Sequence, residues 1–300
     1  PWWTATAKRA DIVFPATTPY EREDIGRSNL DDYLFHMPQL IPPVGDARDD
    51  YAIFAGLAER LGVADSYTEG RSAPEWIERL YADYRSLAEG QGIGVPDLEA
   101  LRDMNWVRLP ILTEDPVRTF LVGFREDPEQ APLATPSGRI ELFSETIDAF
   151  GYEDCSGHPV WLPPSEWLGT ATDAAPLHLV SPQPGDKLHS QLECALADIE
   201  GARPTPLTIH PDDAAARGIA TGDLVRVFNA RGNCRARASV SDTIRPGVVA
   251  LPTGAWLSDP GEKIDLQGNP NVLTRDVGTS RLGQGCSAHT ALVEVARLET

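Results

Sequence analysis

Apolar residues spaced three and four positions apart predict helices in the first third of the chain. The clearest pattern covers Ala47–Leu61, where Asp49 or Asp50 can cap the start and Gly62 ends the periodicity. The apolar face of this helix comprises Ile53, Phe54, Leu57, Ala58 and Leu61. We therefore predict that one side of the helix packs against a core.

Two further helices follow along the chain. One starts at Pro74, where a proline suits the first turn because the N–H that it lacks has no partner there. The other covers Asp97–Arg102. The apolar stripe of the first of these consists of Trp76, Ile77, Leu80, Tyr81 and Tyr84. We interpret all three helices as structural packing.

The opening of the chain has the pattern of one unit of an α/β sheet. Ala5–Ala10 is predicted as a short helical tail, and Ile12–Phe14 as a buried strand that ends at Pro15. The polar loop Thr17–Arg27 would then lie at the carboxyl edge of the sheet, where open α/β folds bind their ligands. This placement makes the loop a candidate binding segment.

After the helices, the pattern changes to strands and turns. Thr135–Gly138 has turn composition, and Arg139–Phe143 alternates in the way that a strand does. The stretch Pro159–Pro176 is rich in proline and tryptophan, and we interpret it as an interdomain linker. The sequence thus predicts two domains, residues 1–176 and 177–300, which agrees with the length of 300 residues.

The second domain is predicted to be mostly β. A turn at Ala230–Asn233 joins two of its strands, and a short helix begins at His210 and ends at Gly218. Many short strands with Gly and Pro turns indicate a closed barrel. The predicted strands are Leu177–Ser181, Leu207–Ile209, Leu224–Asn229, Cys234–Val240, Val248–Leu251 and Thr290–Arg297.

Charge and composition exclude several classes of protein. The formal net charge is −19, so we expect no nucleic-acid partner, and a phosphate site would have to be built locally from Arg, Lys and backbone N–H groups. No apolar run is long enough to cross a bilayer, and no signal peptide is recognisable. The chain has no initiator Met, from which we expect a piece of a longer protein whose compartment the sequence leaves open.

The four cysteines, Cys155, Cys194, Cys234 and Cys286, are widely spaced, so a zinc site or a disulfide framework is not expected. Nucleophile-elbow, P-loop and H-E-x-x-H motifs are also missing. Three loops instead combine hydrogen-bonding side chains with small residues, as a large polar ligand requires. These loops are Tyr20–Asp24, Ser181–Gln191, and Gly268–Thr274 followed by Gln284–Cys286.

The loops and their order resemble the dimethyl sulfoxide reductase family of bis(molybdopterin guanine dinucleotide) enzymes. Within that family, the pattern is most similar to the biotin sulfoxide and trimethylamine N-oxide reductases. Each motif alone would be weak, whereas five in the same order across almost the whole chain are specific. The segments that carry the resemblance are 4–18 with Glu21-Arg22, Ala47–Asp50, Thr135–Glu141, Lys187–Gln191 and Gly268–Thr274.

The resemblance implies a fold and an incomplete active site. Residues 1–176 would form the end of the α/β molybdopterin oxidoreductase region, an open-sheet segment with helices and a linker. Residues 177–300 would form a C-terminal double-psi β-barrel that binds the pterin nucleotides. In the family, the molybdenum ligand (Ser, Cys or selenocysteine) lies upstream and matches nothing here, so no catalytic residue or metal ligand is predicted in this chain.

The resemblance also implies a function. The whole protein would reduce S-oxides or N-oxides by oxygen-atom transfer at molybdenum, with a small-molecule oxide as substrate and bis(molybdopterin guanine dinucleotide) as cofactor. Its partners would be the missing N-terminal part and a redox donor protein. Two alternatives remain open: a non-catalytic module that binds a nucleotide or a partner protein, and a family member that acts on nitrate or formate.

Candidate cofactor residues in the first domain are Asp50 and Arg22. Asp50 resembles the guanine-binding aspartate of the family, because a carboxylate can accept from guanine N1–H and N2–H together. The alternative role is a helix cap, for which Asp49 is the better candidate. Arg22 resembles a basic position at the phosphate or ribose of the nucleotide. Its alternative role is a surface salt bridge with Glu21 or Glu23.

The second domain supplies the remaining candidates. Hydroxyl, amide and imidazole groups can match the polar edges of a pterin, and a lysine can neutralise a pyrophosphate oxygen. Structural hydrogen bonding is the alternative role for each residue, and for Asn271 this would be a simple turn. The candidates are Ser181, Lys187, Leu188, His189, Ser190, Gln191, Asn271 and Gln284. Asp223 and Asn229 are interpreted as structural, and Trp256 as a core aromatic that could approach the pterin.

Overall fold

The computed structural model describes residues 2–28, 32–110, 120–191, 205–258, 261, 263–287 and 289–298. It divides into two compact units. The first unit consists of Asp11–Pro132, and the second combines Trp2–Ala10 with Leu133–Thr300. The sequence-based boundary at residue 176 differs from this division and remains a prediction.

The first unit contains a small antiparallel sheet that the sequence analysis did not predict. Its strands are β1 (Asp24–Arg27), β2 (Tyr33–Met37) and β3 (Trp106–Arg108), with β2 in the centre. Gly26 pairs with Phe35 across the first ladder, and Phe35 pairs with Trp106 across the second. The short strands and their mixed composition give a weak periodic signal.

The helices of the first unit are α2 (Asp50–Arg60), α3 (Ala64–Thr68), α4 (Ala73–Gly90) and α5 (Leu98–Met104). The Ser72–Glu75 capping box starts α4, and the Asp97 side chain caps α5 through the Ala100 N–H at 2.8 Å. The predicted helices at 74 and 97 are therefore confirmed. The core beneath them consists of Leu34, Tyr81, Ala88, Val95, Leu101 and Leu109.

Helix α2 is confirmed with a later start than predicted. Asp49 occupies its N-cap position but does not cap through its side chain, which accepts a hydrogen bond from the Thr17 hydroxyl at 2.7 Å. Gly62 follows the last turn with a φ of +72°, a left-handed conformation that glycine adopts without strain. Of the predicted apolar face, Ile53 and Ala58 are buried, whereas Phe54, Leu57 and Leu61 are exposed.

The predicted strand Ile12–Phe14 is wrong. These residues have no strand partner among the described residues, and Ile12 is 73% exposed. Immediately after them, the Pro15 carbonyl accepts the Arg48 N–H, and Ala16 forms an isolated parallel bridge to Arg48. An apolar run signals burial, but a strand also needs a neighbour for its N–H and C=O groups, and the described part of the chain does not supply one. The predicted open α/β sheet is accordingly not found there.

The second predicted strand outside the barrel, Arg139–Phe143, is also wrong. This segment is irregular, and Ile140 and Leu142 are 67% and 83% exposed. The preceding turn at Thr135–Gly138 is confirmed by the hydrogen bond from the Gly138 N–H to the Thr135 carbonyl at 2.9 Å. Three short helices lie outside the barrel and the helical core of the first unit. They are α1 (Ala5–Arg9), α6 (Val122–Glu126) and α7 (Glu145–Asp148). The predicted helical tail at residues 5–10 is thereby confirmed.

Six strands of the second unit close into a barrel, which confirms the closed barrel predicted for this part of the chain. The strands are β4 (Leu177–Val180), β5 (Pro206–Ile209), β6 (Leu224–Phe228), β7 (Asn233–Val240), β8 (Val248–Ala250) and β9 (Ala291–Arg297). Around the barrel, their order is β4-β8-β5-β7-β6-β9. The β4–β8 and β5–β7 pairs are parallel, and the other four pairs are antiparallel.

Alternation of buried and more exposed residues along most of the barrel strands produces its core. On β6, Val225 and Val227 are buried on either side of the exposed Arg226, and Val227 pairs with Cys234 of β7. Helix α8 (Pro211–Ala215) buries Ala214 against the same core, and its N-cap is the predicted His210. The interior is therefore packed with side chains, so a ligand must bind to the loops at the barrel ends.

We predict a large loss of stability for one Leu→Ala substitution in the first unit and almost none for another. Leu101 is fully buried, so Leu101→Ala should lower the free energy of unfolding by roughly 2–5 kcal/mol through lost burial and a cavity. Leu80→Ala is the matched control, because Leu80 is 54% exposed and should cost no more than about 0.5 kcal/mol. Urea denaturation followed by circular dichroism measures both. Equal losses would contradict the described packing of α4 and α5.

Candidate functional site

A cavity of about 200 Å³ in the first unit brings together its two predicted site residues, Arg22 and Asp50. Its walls come from the loop before β1, from the start of α2 and from α4. Besides the two predicted residues, the lining consists of Glu23, Asp24, Asp49, Tyr51, Ala73, Trp76 and Ile77. One arginine therefore faces four carboxylates, and this excess of acceptors favours a ligand that presents N–H donors.

The loop that carries Arg22 is fixed by a buried carboxylate. Glu21 is 5% exposed and accepts hydrogen bonds from the Thr18 N–H at 2.7 Å, the Thr18 hydroxyl at 2.7 Å and the Val44 N–H at 2.6 Å. The Thr18 N–H and hydroxyl, followed by the Val44 N–H, hold the pKa of Glu21 below its ordinary value. Glu21 thus orders the loop while its neighbour Arg22 reaches the cavity.

The contacts of Arg22 differ from both predicted salt bridges. Its guanidinium donates to the Thr17 carbonyl at 3.0 Å and lies 3.4 Å from the Asp24 carboxylate, not beside Glu21 or Glu23. Glu23 instead pairs with His36 at 3.0 Å and with Arg102 at 2.9 Å. Asp24 therefore holds Arg22 at the cavity wall.

Asp50 is exposed at the first residue of α2, where the helix dipole favours a negative charge. Within the described part of the chain, no hydrogen bond engages its side chain. The neighbouring Asp49, by contrast, is committed to the Thr17 hydroxyl. Asp50 is consequently the carboxylate of this cavity that is open to a ligand.

In the second unit, Ser181 follows β4 and is 2% exposed. Its backbone N–H donates to the His289 Nδ1 at 3.2 Å, but its hydroxyl has no hydrogen-bond partner among the described residues. A buried hydroxyl without a partner costs folding free energy. A hydrogen bond from this hydroxyl to a polar ligand or a water molecule would therefore be favourable.

The loop after Ser181 packs against residues 254–256 and exposes most of its predicted binding side chains. Gly254 approaches so closely that a Cβ atom there would lie 2.0 Å from the His189 carbonyl oxygen. The Trp256 indole N–H donates to the Ser190 carbonyl at 2.9 Å, so Trp256 supports the loop and is not a buried core residue. The side chains of Leu188, His189, Ser190 and Gln191 are exposed, and that of Lys187 is half-buried.

A second cavity, of about 480 Å³, brings together Asn271 and Gln284. Two loops form it, 271–278 and 284–287, and both predicted residues are exposed. Arg275 contributes a positive charge to the lining of this cavity. The remaining lining residues are Thr274, Asp276, Val277, Gly278, Gly285, Cys286 and Ser287. The size and mixed polarity suit one end of a large polar ligand.

Asp265, which no sequence pattern indicated, fixes the loop that leads to Asn271. One oxygen of this buried carboxylate accepts the backbone N–H groups of Gln267 at 3.1 Å, Gly268 at 2.8 Å and Asn269 at 2.9 Å. The other oxygen accepts the Ser258 N–H at 2.8 Å and its hydroxyl at 3.0 Å. The Asp265 carboxylate thus satisfies four backbone donors that no strand or helix would otherwise pair.

The two residues interpreted as structural have that role. Asp223 accepts the Ala220 N–H at 2.9 Å and pairs with Arg297 at 3.3 Å. The Asn229 amide donates to the Leu273 carbonyl at 2.9 Å and to the Leu292 carbonyl at 3.0 Å. Asn229 therefore also holds the loop that carries Asn271.

The described residues contain free cysteines but no cluster of side chains that could hold a metal ion. Cys155, Cys234 and Cys286 are free thiols, and burial raises the pKa of Cys234, while Cys194 lies outside the described residues. No group of three or more His, Cys, Asp or Glu side chains in the described ranges could hold a metal ion. Among the helices described, none has both the length and the apolar character for a membrane span.

Two protein-family models match this chain, one near each end. Residues 177–292 match the family described as Molydopterin dinucleotide binding domain, and residues 1–60 match Molybdopterin oxidoreductase. The chain is 48% identical over 299 residues to a biotin sulfoxide reductase of Cereibacter sphaeroides, covering 98% of this chain and 40% of the relative. A dimethyl sulfoxide/trimethylamine N-oxide reductase of the same organism is 45% identical over 305 residues, covering 98% of this chain and 37% of the relative.

The chain therefore spans about two fifths of the length of these curated relatives. Among solved structures, acetylene hydratase from Pelobacter acetylenicus is similar over 99% of this chain and 39% of its own, with a TM-score of 0.66 and 20% sequence identity. At this identity, the similarity shows a shared fold alone.

The order of the Arg22 loop should depend on pH through Glu21. Because the pKa of Glu21 is lowered in the folded chain, its contribution is complete above its unfolded value of 4.5 and is lost as the pH falls through the lower folded value. Hydrogen exchange at the Val44 amide, corrected for intrinsic rates, should lose protection below pH 4.5. Glu21→Gln should give weaker protection with a flat profile. An unchanged profile in this variant would contradict the assignment.

Removing the Asp265 carboxylate should release the loop before Asn271. In Asp265→Ala, the amides of Gln267, Gly268 and Asn269 lose their acceptor, and hydrogen bonds to a charged group contribute about 1.5–3 kcal/mol each. We expect their exchange rates to rise at least about tenfold, since 1.4 kcal/mol corresponds to that factor. The exposed Asp242→Ala is the control and should leave them unchanged. Unaltered exchange in Asp265→Ala would refute the anchoring role.

Proposed function

We propose that this chain belongs to the molybdopterin oxidoreductases and is the cofactor-binding portion of an enzyme that reduces S-oxides or N-oxides. The observation that carries this proposal is the match of 177–292 to the dinucleotide-binding family, combined with relatives named as biotin sulfoxide and dimethyl sulfoxide/trimethylamine N-oxide reductases. The substrate class is inferred from those names. When bound, the molybdenum cofactor supplies the two-electron transfer of an oxygen atom.

The described residues fit bis(molybdopterin guanine dinucleotide). In the first unit, the acidic cavity offers Asp50 to the N–H edge of a guanine base, and Arg22 to a ribose or phosphate oxygen. In the second unit, the unpartnered Ser181 hydroxyl supports a polar ligand at the end of β4. Further contacts would come from Lys187, Leu188, His189, Ser190 and Gln191, and from Asn271 and Gln284 at the larger cavity.

These residues bind and orient the cofactor and do not take part in bond breaking. Carboxylate, amide and hydroxyl groups recognise the base and pterin edges, and Lys187 opposes the pyrophosphate charge. We further infer that the barrel has the double-psi arrangement. The closed circuit of six strands with two parallel pairs, β4–β8 and β5–β7, supports this inference.

Two substitutions should reduce the bound nucleotide in the full-length protein. Asp50→Ala removes the carboxylate acceptor and Lys187→Ala removes the positive charge, each worth about 1.5–3 kcal/mol, or roughly 10- to 150-fold in affinity. GMP released by acid hydrolysis and molybdenum content by elemental analysis measure the effect. Asp46→Ala, an exposed change in the loop before Asp50, is the control. Normal nucleotide content in both variants would overturn these residue assignments.

The activity itself is tested with reduced viologen as electron donor and a panel of S-oxides, N-oxides and nitrate. We expect oxidation of the dye with S-oxides or N-oxides and a much slower rate with nitrate. The reverse assay uses formate as donor with an oxidised dye. Full-length protein that contains neither molybdenum nor GMP would point to a non-catalytic binding module, and turnover of nitrate or formate alone to a different enzyme of the family.

A further inference from the structure

A carboxylate from the stretch predicted as a linker contacts the barrel at two places. Glu166 binds the Arg231 guanidinium through both oxygens, at 2.6 and 2.8 Å. Its Oε2 atom also accepts the Leu292 N–H of β9 at 2.9 Å. The side chain is 20% exposed, so this pair is shielded from much of the solvent screening that weakens surface salt bridges.

Arg231 extends this contact to the loop that carries Asn271. Its Nε atom donates to the Leu273 carbonyl at 2.9 Å, and Asn229 donates to the same oxygen. Leu273 itself is fully buried. At the turn between β6 and β7, Gly232 lies so close that a Cβ atom would be 2.5 Å from the Val272 carbonyl oxygen. The Glu166–Arg231 ion pair, together with Asn229, therefore holds the backbone after Asn271 in place.

The same carboxylate influences a residue of the larger cavity directly. Arg275 lines that cavity, and its Nε atom lies 4.0 Å from the Glu166 Oε1 atom. Its guanidinium also donates to the Ser165 hydroxyl. Residues 165–166 thus orient the positive charge of the cavity and, through Arg231, its backbone wall.

We propose that Glu166 is a positioning residue that sets the shape of the larger cavity for the guanine dinucleotide. Glu166 does not line that cavity, and it acts through Arg231 and Arg275. This inference rests on the proposed cofactor-binding function. Both carboxylate oxygens are engaged as acceptors, so the NH2 group of a glutamine would face an Arg231 donor in either orientation, and in one of them the Leu292 N–H as well.

The test compares Glu166→Gln with the unaltered full-length protein and with Glu145→Gln, a matched change at an exposed residue of α7. Hydrogen exchange reports on the Leu292 amide and on residues 271–275. Nucleotide retention is measured as acid-released GMP after timed dialysis. We expect at least about fivefold faster exchange and nucleotide loss in Glu166→Gln, and no change in the control. Arg231→Lys should have the same direction, because it keeps the charge but loses the two-point contact.

Thermal unfolding separates positioning from simple stabilisation. All proteins are dialysed at the same interval below their own Tm. If Glu166→Gln then loses nucleotide at the unaltered rate, the positioning role is overturned while the proposed function stands. If acid hydrolysis of the unaltered protein before dialysis yields no GMP, the protein holds no guanine dinucleotide. The proposed function then fails, and the positioning role fails with it. Faster nucleotide loss in Glu166→Gln at the matched interval supports both.

Discussion

The acceptance of backbone N–H groups by internal carboxylates is the interaction on which the loops of this protein depend. A loop cannot pair its own N–H groups in a ladder, and buried donors without partners are costly. Glu21 satisfies two such donors, Asp265 satisfies four, and Glu166 satisfies one while it also binds Arg231. In a chain with a net charge of −19, part of the acidic excess therefore has an architectural use.

The barrel could be predicted from sequence because its signals are local. Val225 and Val227 flank the polar Arg226, and the turn after Phe228 brings β7 beside β6 without help from distant segments. The failure at Ile12–Phe14 has the opposite cause: an apolar run indicates that something covers it but does not identify the partner strand. The β1–β3 sheet was missed because β3 lies far from β2 in sequence and has only three residues.

For the candidate sites, the resemblance indicated the predicted cofactor residues but not the residues that support them. Arg22 shares one cavity with Asp50, and Asn271 shares a separate cavity with Gln284. Asp265 and Glu166 had no distinguishing signal among 45 acidic residues, because what makes them special is burial against donors that are distant in space or sequence. The position of Lys187–Gln191 likewise depends on Gly254 and Trp256, more than sixty residues later.

The strand order of the barrel also determines when it can form during synthesis. Strand β4 lies between β8 and β9, and Leu177 pairs with Val293. The barrel therefore closes only when its first strand in sequence pairs with its last. Contacts of such long sequence separation are slow to form because the loop entropy is lost before the pairing energy is gained. While β9 is still inside the ribosome, the barrel is open between β4 and β6, and Leu177 and Leu179 lack their partners on β9. Nascent chains of this protein should therefore depend on chaperones until translation has passed Arg297.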